Sequence, residues 1–366
     1  MATFKLQVAS AKVSGTHSDF PAYVDLSEMP TAFWDTVSNG GGDIRCYSNE
    51  ALTTELPREV VSCDTSTDTG ELWVKTGMST TTEIYITVDG TNTEPTASST
   101  YGSENVWNSN YKAVYHLEDA NDSTSNDNDG TVDGATSGAT GKIGKAYDFD
   151  GTNDRITTAA NSSLSPSTYS LGVWVYATGF PGTDANVYIS NGTYPNQKFQ
   201  FRHAQSTKYL MLGYGNGSSF TSFSTTQVIP LNTWVRCIAT WDGDKIRIYY
   251  NGSLIGTSGS LTAPASTTDN IVNLGAERGG SNYFQGRLDE IFIYSGVLST
   301  DYITTEYNNQ SDASTFWSIE DVTPTGTKIK RWDGTAWQEH NLKRYNGSEW
   351  EDVTIKRYNG SSWDEL

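Results

Sequence analysis

The stretch TWVRCIATWDGDKIRIYYNGSLIGT (233–257) decides the class of fold. Apolar and polar residues alternate on both sides of Asp242-Gly243, the period-two pattern of strands with one face in a core. Asp-Gly between two such runs signals a hairpin, because both central residues of the preferred tight turn need positive φ. The pattern extends outward in both directions. SLGVWVYA (170–177), KFQFRHA (198–204), YLMLGYG (209–215), DNIVNLGA (269–276) and GRLDEIFIYSG (286–296) are short apolar runs between turn-rich gaps, and KAYDFDGTNDRITT (145–158) reads as two strands around a turn. Nearer the N-terminus, PAYVDL (21–26), GDIRCYS (42–48), REVVSC (58–63), ELWVKTG (71–77) and TEIYITVDG (82–90) repeat the theme. Two segments depart from it. PTAFWDTV (30–37) fits one helical turn with Phe33 and Trp34 packing on a sheet, and STDYITTEYNN (299–309) fits a helix with Ser299 as N-cap.

The chain has 366 residues, too many for one ordinary core, so two or three domains are expected. Only 36% of residues are hydrophobic, yet 12% are aromatic, which fits an all-β protein rich in turns. The net charge of −19 opposes binding to nucleic acid and acidic membranes. No run approaches the ~18 apolar residues of a membrane span. The opening MATFKLQVASAKVSG shows no basic cluster followed by an apolar stretch, so no export signal is read there. Cys46, Cys63 and Cys237 are odd in number and form no disulfide framework. Cys46 and Cys63 are close enough in sequence to pair, and the plainer reading is three buried thiols.

From residue 101 onward the chain resembles the concanavalin A-like, laminin-G-like jelly roll. The resemblance rests on NDSTSNDNDGT, GKIGKAYDFDGTNDRI, YSLGVWVYA, NTWVRCIATWDGDKIRIYYNG and FQGRLDEIFIYSGVLSTDYITTEY, which occur in the expected order. The first 105 residues, through FPAYVDLSEMP, GGDIRCYSNE, LPREVVSC, GELWVKTG and YGSENVW, resemble a β-sandwich domain of unknown function that often precedes such jelly rolls. The expected organisation is a small β-sandwich at 1–105, the jelly roll at 106–312, a polar linker at 313–328 and three short β-hairpins at 329–366.

The resemblance implies carbohydrate binding on a sheet face or at the loop rim. Tyr214, Phe220 and Phe223 flank the loop GNGSSF and are the chosen sugar-contacting aromatics, the alternative being that they belong to the core. Calcium is the implied cofactor, in a structural role. Carrying over its position in laminin-G-like domains gives Asp122, Asn128 and Asp289 as ligands, with Glu290 beside them. The other reading of this loop is a solvated acidic turn, and its spacing fails the EF-hand pattern. Related hydrolases place two carboxylates on one face of a strand. Here Asp289 and Glu290 are adjacent, which in a regular strand directs them to opposite faces, so no catalytic pair is read and the protein is not expected to be an enzyme. His116, in VYHLED, reads as a packed strand residue.

The chain closes in IKRWDGTAWQEHN, LKRYNGSEWEDVT and IKRYNGSSWDEL, three units with a period of 13. Each reads as strand, Asp-Gly or Asn-Gly turn, strand, with basic residues on the first strand and acidic ones on the second. Trp332, Tyr345 and Tyr358 are expected to meet Trp337, Trp350 and Trp363 on one face. A lone hairpin is marginal in water, so this face should be covered by stacking, by the jelly roll or by other chains. Such repeats resemble the ends of phage and virus structural proteins. The combined expectation is a virion surface protein, decoration or tail fibre, assembled in the host cytoplasm and displayed after lysis. Its partners would be other virion proteins or further copies of itself, with a host glycan as ligand. A secreted or cell-surface bacterial adhesin, or a purely structural decoration protein without a ligand, is the alternative.

Overall fold

The computed structural model describes residues 2–181, 184–266 and 269–323, together with 328–332, 337–341, 343–345, 348–352, 356–358 and 363–365 of the C-terminal repeats. In the hairpin at 233–257, strand Val235–Trp241 pairs with Ile246–Tyr250, and that strand pairs with Ser253–Thr257. Trp241 faces Ile246, so four residues rather than two make the first turn. The Asp242 carboxylate holds it by accepting N–H groups of Asp244 at 2.9 Å and Lys245 at 2.7 Å. The two-residue turn lies next along the chain, at Asn251 (φ +47°) and Gly252 (φ +75°).

These strands open an antiparallel sheet in the order Ser253–Thr257, Ile246–Tyr250, Val235–Trp241, Tyr169–Gly179, Gln285–Ser295, Lys145–Asp150, Thr136–Thr140. Tyr111–Tyr115 also pairs with Gln285–Ser295. A second sheet runs Phe220–Val228, Tyr209–Gly215, Phe199–Ala204, Ala185–Asn191, Val272–Leu274, Arg155–Thr158, Gly130–Asp133. The main core includes Leu171, Val173, Ile189, Phe201, Leu212, Ile248, Leu274 and Ile293, the inward positions of both sheets. The chain is all-β in character, as its alternation predicts.

The N-terminal sandwich has two smaller sheets. One runs Trp317–Asp321, Ala2–Val8, Glu83–Val88, Ile44–Tyr47, and the other runs His17–Asp25, Thr69–Met78, Arg58–Asp64. The helical turn Thr31–Trp34 forms as predicted, and buried Phe33 meets Phe4 edge-on at 5.7 Å. Cys46, Cys63 and Cys237 are all free and buried.

The expected linker at 313–328 is not a linker over its first nine residues. Ala313–Phe316 is a helical turn, and Trp317–Asp321 is a strand paired with Ala2–Val8. The physical cause is a short apolar alternation inside a polar segment. Phe316 and Trp317 are buried in the N-terminal core with Ile319 packed against it, and Trp317 Nε1–H donates to the Tyr23 carbonyl at 2.9 Å. The first sandwich is therefore closed by residues that follow the jelly roll in sequence.

The helix expected near 299–309 spans Thr300–Ser311, with Ser299 Oγ accepting the Tyr302 N–H. Asn309 links it to the N-terminal sandwich, accepting the Tyr23 N–H at 2.7 Å and donating to the Tyr23 carbonyl at 2.9 Å. Tyr23 and Trp73 from one sandwich, Trp107, Tyr111, Ile238, Tyr249 and Phe292 from the other, and Leu298, Ile303 and Ala313 near the helix form one buried cluster. The sandwiches therefore share an apolar junction.

In the repeats, Lys328–Trp332 pairs with Trp337–Asn341, Lys343–Tyr345 with Trp350–Asp352, and Lys356–Tyr358 with Trp363–Glu365. The register sets Lys343 opposite Asp352 and Arg344 opposite Glu351, and it sets the aromatic pairs Trp332–Trp337, Tyr345–Trp350 and Tyr358–Trp363 opposite each other. Four residues separate the members of each aromatic pair. The Asp-Gly and Asn-Gly pairs at 333–334, 346–347 and 359–360 lie outside the described residues.

Candidate functional site

The seven-stranded sheet shows two adjacent rows of residues in register. One row, Ile156, Leu274, Ile189, Phe201, Leu212 and Phe223, faces or packs against the core. The neighbouring row, Thr131, Thr157, Asn273, Ser190, Gln200, Gly213 and Ser222, crosses all seven strands on the opposite face. It contains no large apolar side chain. Asn273 Oδ1 and both side-chain polar atoms of Gln200 are buried without a hydrogen-bond partner among the described residues. Buried amides are normally paired, so unpartnered ones mark places where water or a ligand completes the bonding. One end of this face opens into a groove of about 710 Å³ lined by Thr131, Asp133, Arg155, Thr157, Asn273 and Arg278. Arg155 pairs with Asp133 at 2.5 Å and Arg278 with Asp269 at 3.3 Å, which holds both guanidinium groups beside the groove.

The three chosen aromatics separate across this sheet. Tyr214 is fully buried in the core and its hydroxyl donates to the Thr262 carbonyl, so it is no sugar platform. Alternation puts it with Leu210 and Leu212. Phe223, opposite Leu212, packs on the same core. Phe220 lies near Gly213 on the other face, under the Arg202 guanidinium at 4.5 Å.

The four expected calcium ligands do not converge. Asp122 accepts N–H groups of Val114, Thr124 and Asn128 and the Thr124 hydroxyl, all at 2.9–3.0 Å, and thereby folds its own loop onto Tyr111–Tyr115. Asn128 donates to the Lys112 carbonyl and to Ser163 Oγ. Asp289 accepts the N–H groups of Lys142, Ile143 and Glu290. Glu290 joins a different set of residues.

That set lies in the junction between the sandwiches. Strand Gln285–Ser295 pairs with Lys145–Asp150 along its first half and with Tyr111–Tyr115 along its second. Asp289 and Glu290 occupy the change of neighbour. Opposite Tyr169–Gly179 the register shifts there, and Glu290 takes φ +45°. Such a bulge adds one residue to the strand. Leu288, Ile291 and Ile293 consequently all reach the core, while both acids are buried away from it. The expectation of opposite faces thus fails because the strand is not regular. His116 Nδ1 lies 2.9 and 3.0 Å from the Glu290 carboxylate oxygens and 3.2 Å from Glu71 Oε1. Its Nε2 lies 3.4 Å from Glu59 Oε2. Trp73 Nε1–H donates to Glu71 and Trp107 Nε1–H to Glu59, both at 2.7 Å.

Burial lowers the pKa of His116, but the Glu290 and Glu59 carboxylates outweigh it and hold the imidazole well above its usual value. Burial pushes Glu290 and Asp289 upward, opposed at Glu290 by His116. Among the described residues, Glu71, His116 and Glu290 are the one group of three such side chains whose ligand-capable atoms converge. Sequence reasoning passed over Glu59 and Glu71 and took His116 for a packed residue. The usable signal was an acid at alternate positions with Trp73, on a strand face that a solvated sheet would leave polar.

Residues 150–304 match the model of Laminin_G_3, described as the concanavalin A-like lectin/glucanases superfamily. This segment resembles a concanavalin A-like domain. This segment contributes Glu290 to the junction and most of the strands of the groove. Comparison with curated proteins gives no match. Among solved structures, domain 4 of AbnA, a GH43 extracellular arabinanase from Geobacillus stearothermophilus in complex with arabinotriose, is 26% identical, with a TM-score of 0.45 over 53% of this chain and 96% of that one. The binding domain of Paraclostridial Mosquitocidal Protein 1 is 14% identical, with a TM-score of 0.45 over 54% and 52%. The botulinum neurotoxin serotype D binding domain is 14% identical, with a TM-score of 0.44 over 55% and 52%. The matched region spans about half the length of these two toxin domains.

Proposed function

We propose that this protein is a non-enzymatic surface protein that binds glycan in the groove on the outer face of its concanavalin A-like domain. The observation that carries the reading is the groove itself, lined in part by Asn273, whose buried Oδ1 has no hydrogen-bond partner among the described residues, with two guanidinium groups beside it. A sugar hydroxyl both donates and accepts, so planar amides and guanidinium groups suit it. The lectin part of the family description agrees with this. The glucanase part is less favoured, because retaining or inverting hydrolysis needs two carboxylates flanking the bond, and Asp133 is the single acid among the described groove residues.

The C-terminal hairpins are the proposed assembly device, joining copies of the chain or docking it to another protein of a virus particle. Tyr345 and Trp350, whose rings lie 5.4 Å apart, are 52% and 65% exposed, an aromatic face of the kind a partner covers. Display in several copies raises weak single-site affinity through effective concentration.

The test is binding of the full chain to a panel of immobilised glycans, with Arg155→Ala and Arg278→Ala beside the unchanged protein. The expected result is binding of at least one glycan, weakened about tenfold or more by either change, the loss of a charge-assisted hydrogen bond. No binding to any glycan, or binding indifferent to both changes, would overturn the reading.

A further inference from the structure

The junction cluster is separate from the groove and does not depend on the glycan reading. Its donor atoms lie about 3 Å apart, His116 Nδ1 to Glu290 Oε1 at 2.9 Å and to Glu71 Oε1 at 3.2 Å. Metal bonds of about 2.0–2.2 Å to nitrogen and oxygen place neighbouring ligand atoms at roughly this separation. All three side chains are buried, and Glu71 Oε2 has no hydrogen-bond partner among the described residues. The surrounding contacts are those that orient ligands in known metal sites. The far nitrogen of His116 faces the Glu59 carboxylate, and the Trp73 indole fixes Glu71. Glu290 reaches the cluster from a left-handed backbone conformation, which is costly for a residue with a side chain and is retained at sites where position matters. An access route exists. A cavity of about 310 Å³ lined by His116, Glu59, Glu104, Glu118, Asp119 and Asp127 approaches the cluster from the surface, and its charge favours entry of cations.

We propose that Glu71, His116 and Glu290 bind one divalent first-row transition-metal ion of the zinc class, which clasps the N-terminal sandwich to the concanavalin A-like domain. One imidazole and two carboxylates suit zinc better than calcium, which needs six to eight oxygens. Glu71 comes from one sandwich, and His116 and Glu290 come from the other, so a bound ion ties the two together. A metal ion competes with a proton for the coordinating nitrogen of a histidine. Metal binding displaces that proton, so binding releases it and weakens as pH falls.

The test uses the untagged full chain stripped with chelator and titrated separately with Zn²⁺, Co²⁺ and Ca²⁺ by calorimetry, with the Co²⁺ visible spectrum recorded. The expected result is one Zn²⁺ per chain with proton release, a Co²⁺ spectrum of a nitrogen–oxygen site, and no comparable Ca²⁺ binding. The near-isosteric Glu71→Gln and the separate Glu290→Gln should each weaken Zn²⁺ at least tenfold. Absence of stoichiometric Zn²⁺ binding to the unchanged chain overturns the proposal whatever the variants do. So does binding that survives both substitutions undiminished.

Discussion

His203 shows how a single buried side chain links this fold to pH. It lies in strand Phe199–Ala204 between Tyr188, whose hydroxyl is 2.6 Å from Nδ1, and Phe180, whose ring meets it edge-on with 4.8 Å between centroids. Burial, aided by the charge of Lys208, lowers its pKa from 6.5 to about 3. The unfolded chain therefore binds a proton below pH 6.5 that the folded one refuses. Stability from this residue is complete above pH 6.5 and falls by about 1.4 kcal/mol per unit as pH drops toward 3. Denaturant unfolding at pH 7 and pH 4.5 should show a loss for the unchanged protein, reduced in His203→Phe. Equal pH dependence in both would contradict the assignment. The sequence showed His203 only as an inward position in an alternating run. Its partners come from other strands, and no spacing within the run reports them. Tyr214 makes the same point from the other side, since its place with Leu210 and Leu212 on one strand face could be counted in the sequence and outweighed its nearness to an exposed loop.

At the scale of elements, the strand Trp317–Asp321 carries the clearest consequence. Ending the chain at residue 312 removes an edge strand, two buried aromatics and the Trp317–Tyr23 hydrogen bond from the N-terminal sandwich. Loss of a buried Phe or Trp typically costs about 3–5 kcal/mol, so that truncation should lower the unfolding midpoint markedly. Ending at residue 323 keeps the strand and removes only the hairpins, so stability should stay near that of the full chain. Light scattering on the 1–323 form then reads the hairpins alone. The expected outcome is an assembly that falls to monomer, and an unchanged mass would remove the hairpins from any role in self-association. The repeats were legible because their signals are local: basic strand, Gly-containing turn, acidic strand and paired aromatics all lie within 13 residues. The strand at 317–321 was missed because three of its own five residues, Ser318, Glu320 and Asp321, are polar and its partner is some 310 residues away.

On the scale of the whole molecule, the junction makes the sandwiches one unit. Trp73 stacks near Trp107, Tyr23 and His116 at 5.2–5.4 Å, and Arg236 pairs with Glu306 of the helix at 2.5 Å beneath them. Calorimetry should show a single cooperative transition for the 1–323 form. Trp73→Ala should split it into two, because it removes apolar area from the junction while both cores keep theirs. Two transitions in the unchanged protein would mean that the junction contributes little.

The sequence by itself determined the all-β class, the capped helix expected at 299–309 and the aromatic pairing within the terminal repeats. Each follows from alternation, turn residues or caps within a few positions, where steric and hydrogen-bonding rules act on neighbours. Tertiary structure alone decided that residues 317–321 close the first sandwich, that a bulge turns Asp289 and Glu290 to one side, and that Glu71 meets His116. These depend on which distant surfaces bury each other. A bulge forms where a strand changes partners, and a carboxylate is buried where another domain covers it, so neither is written in the spacing of nearby residues.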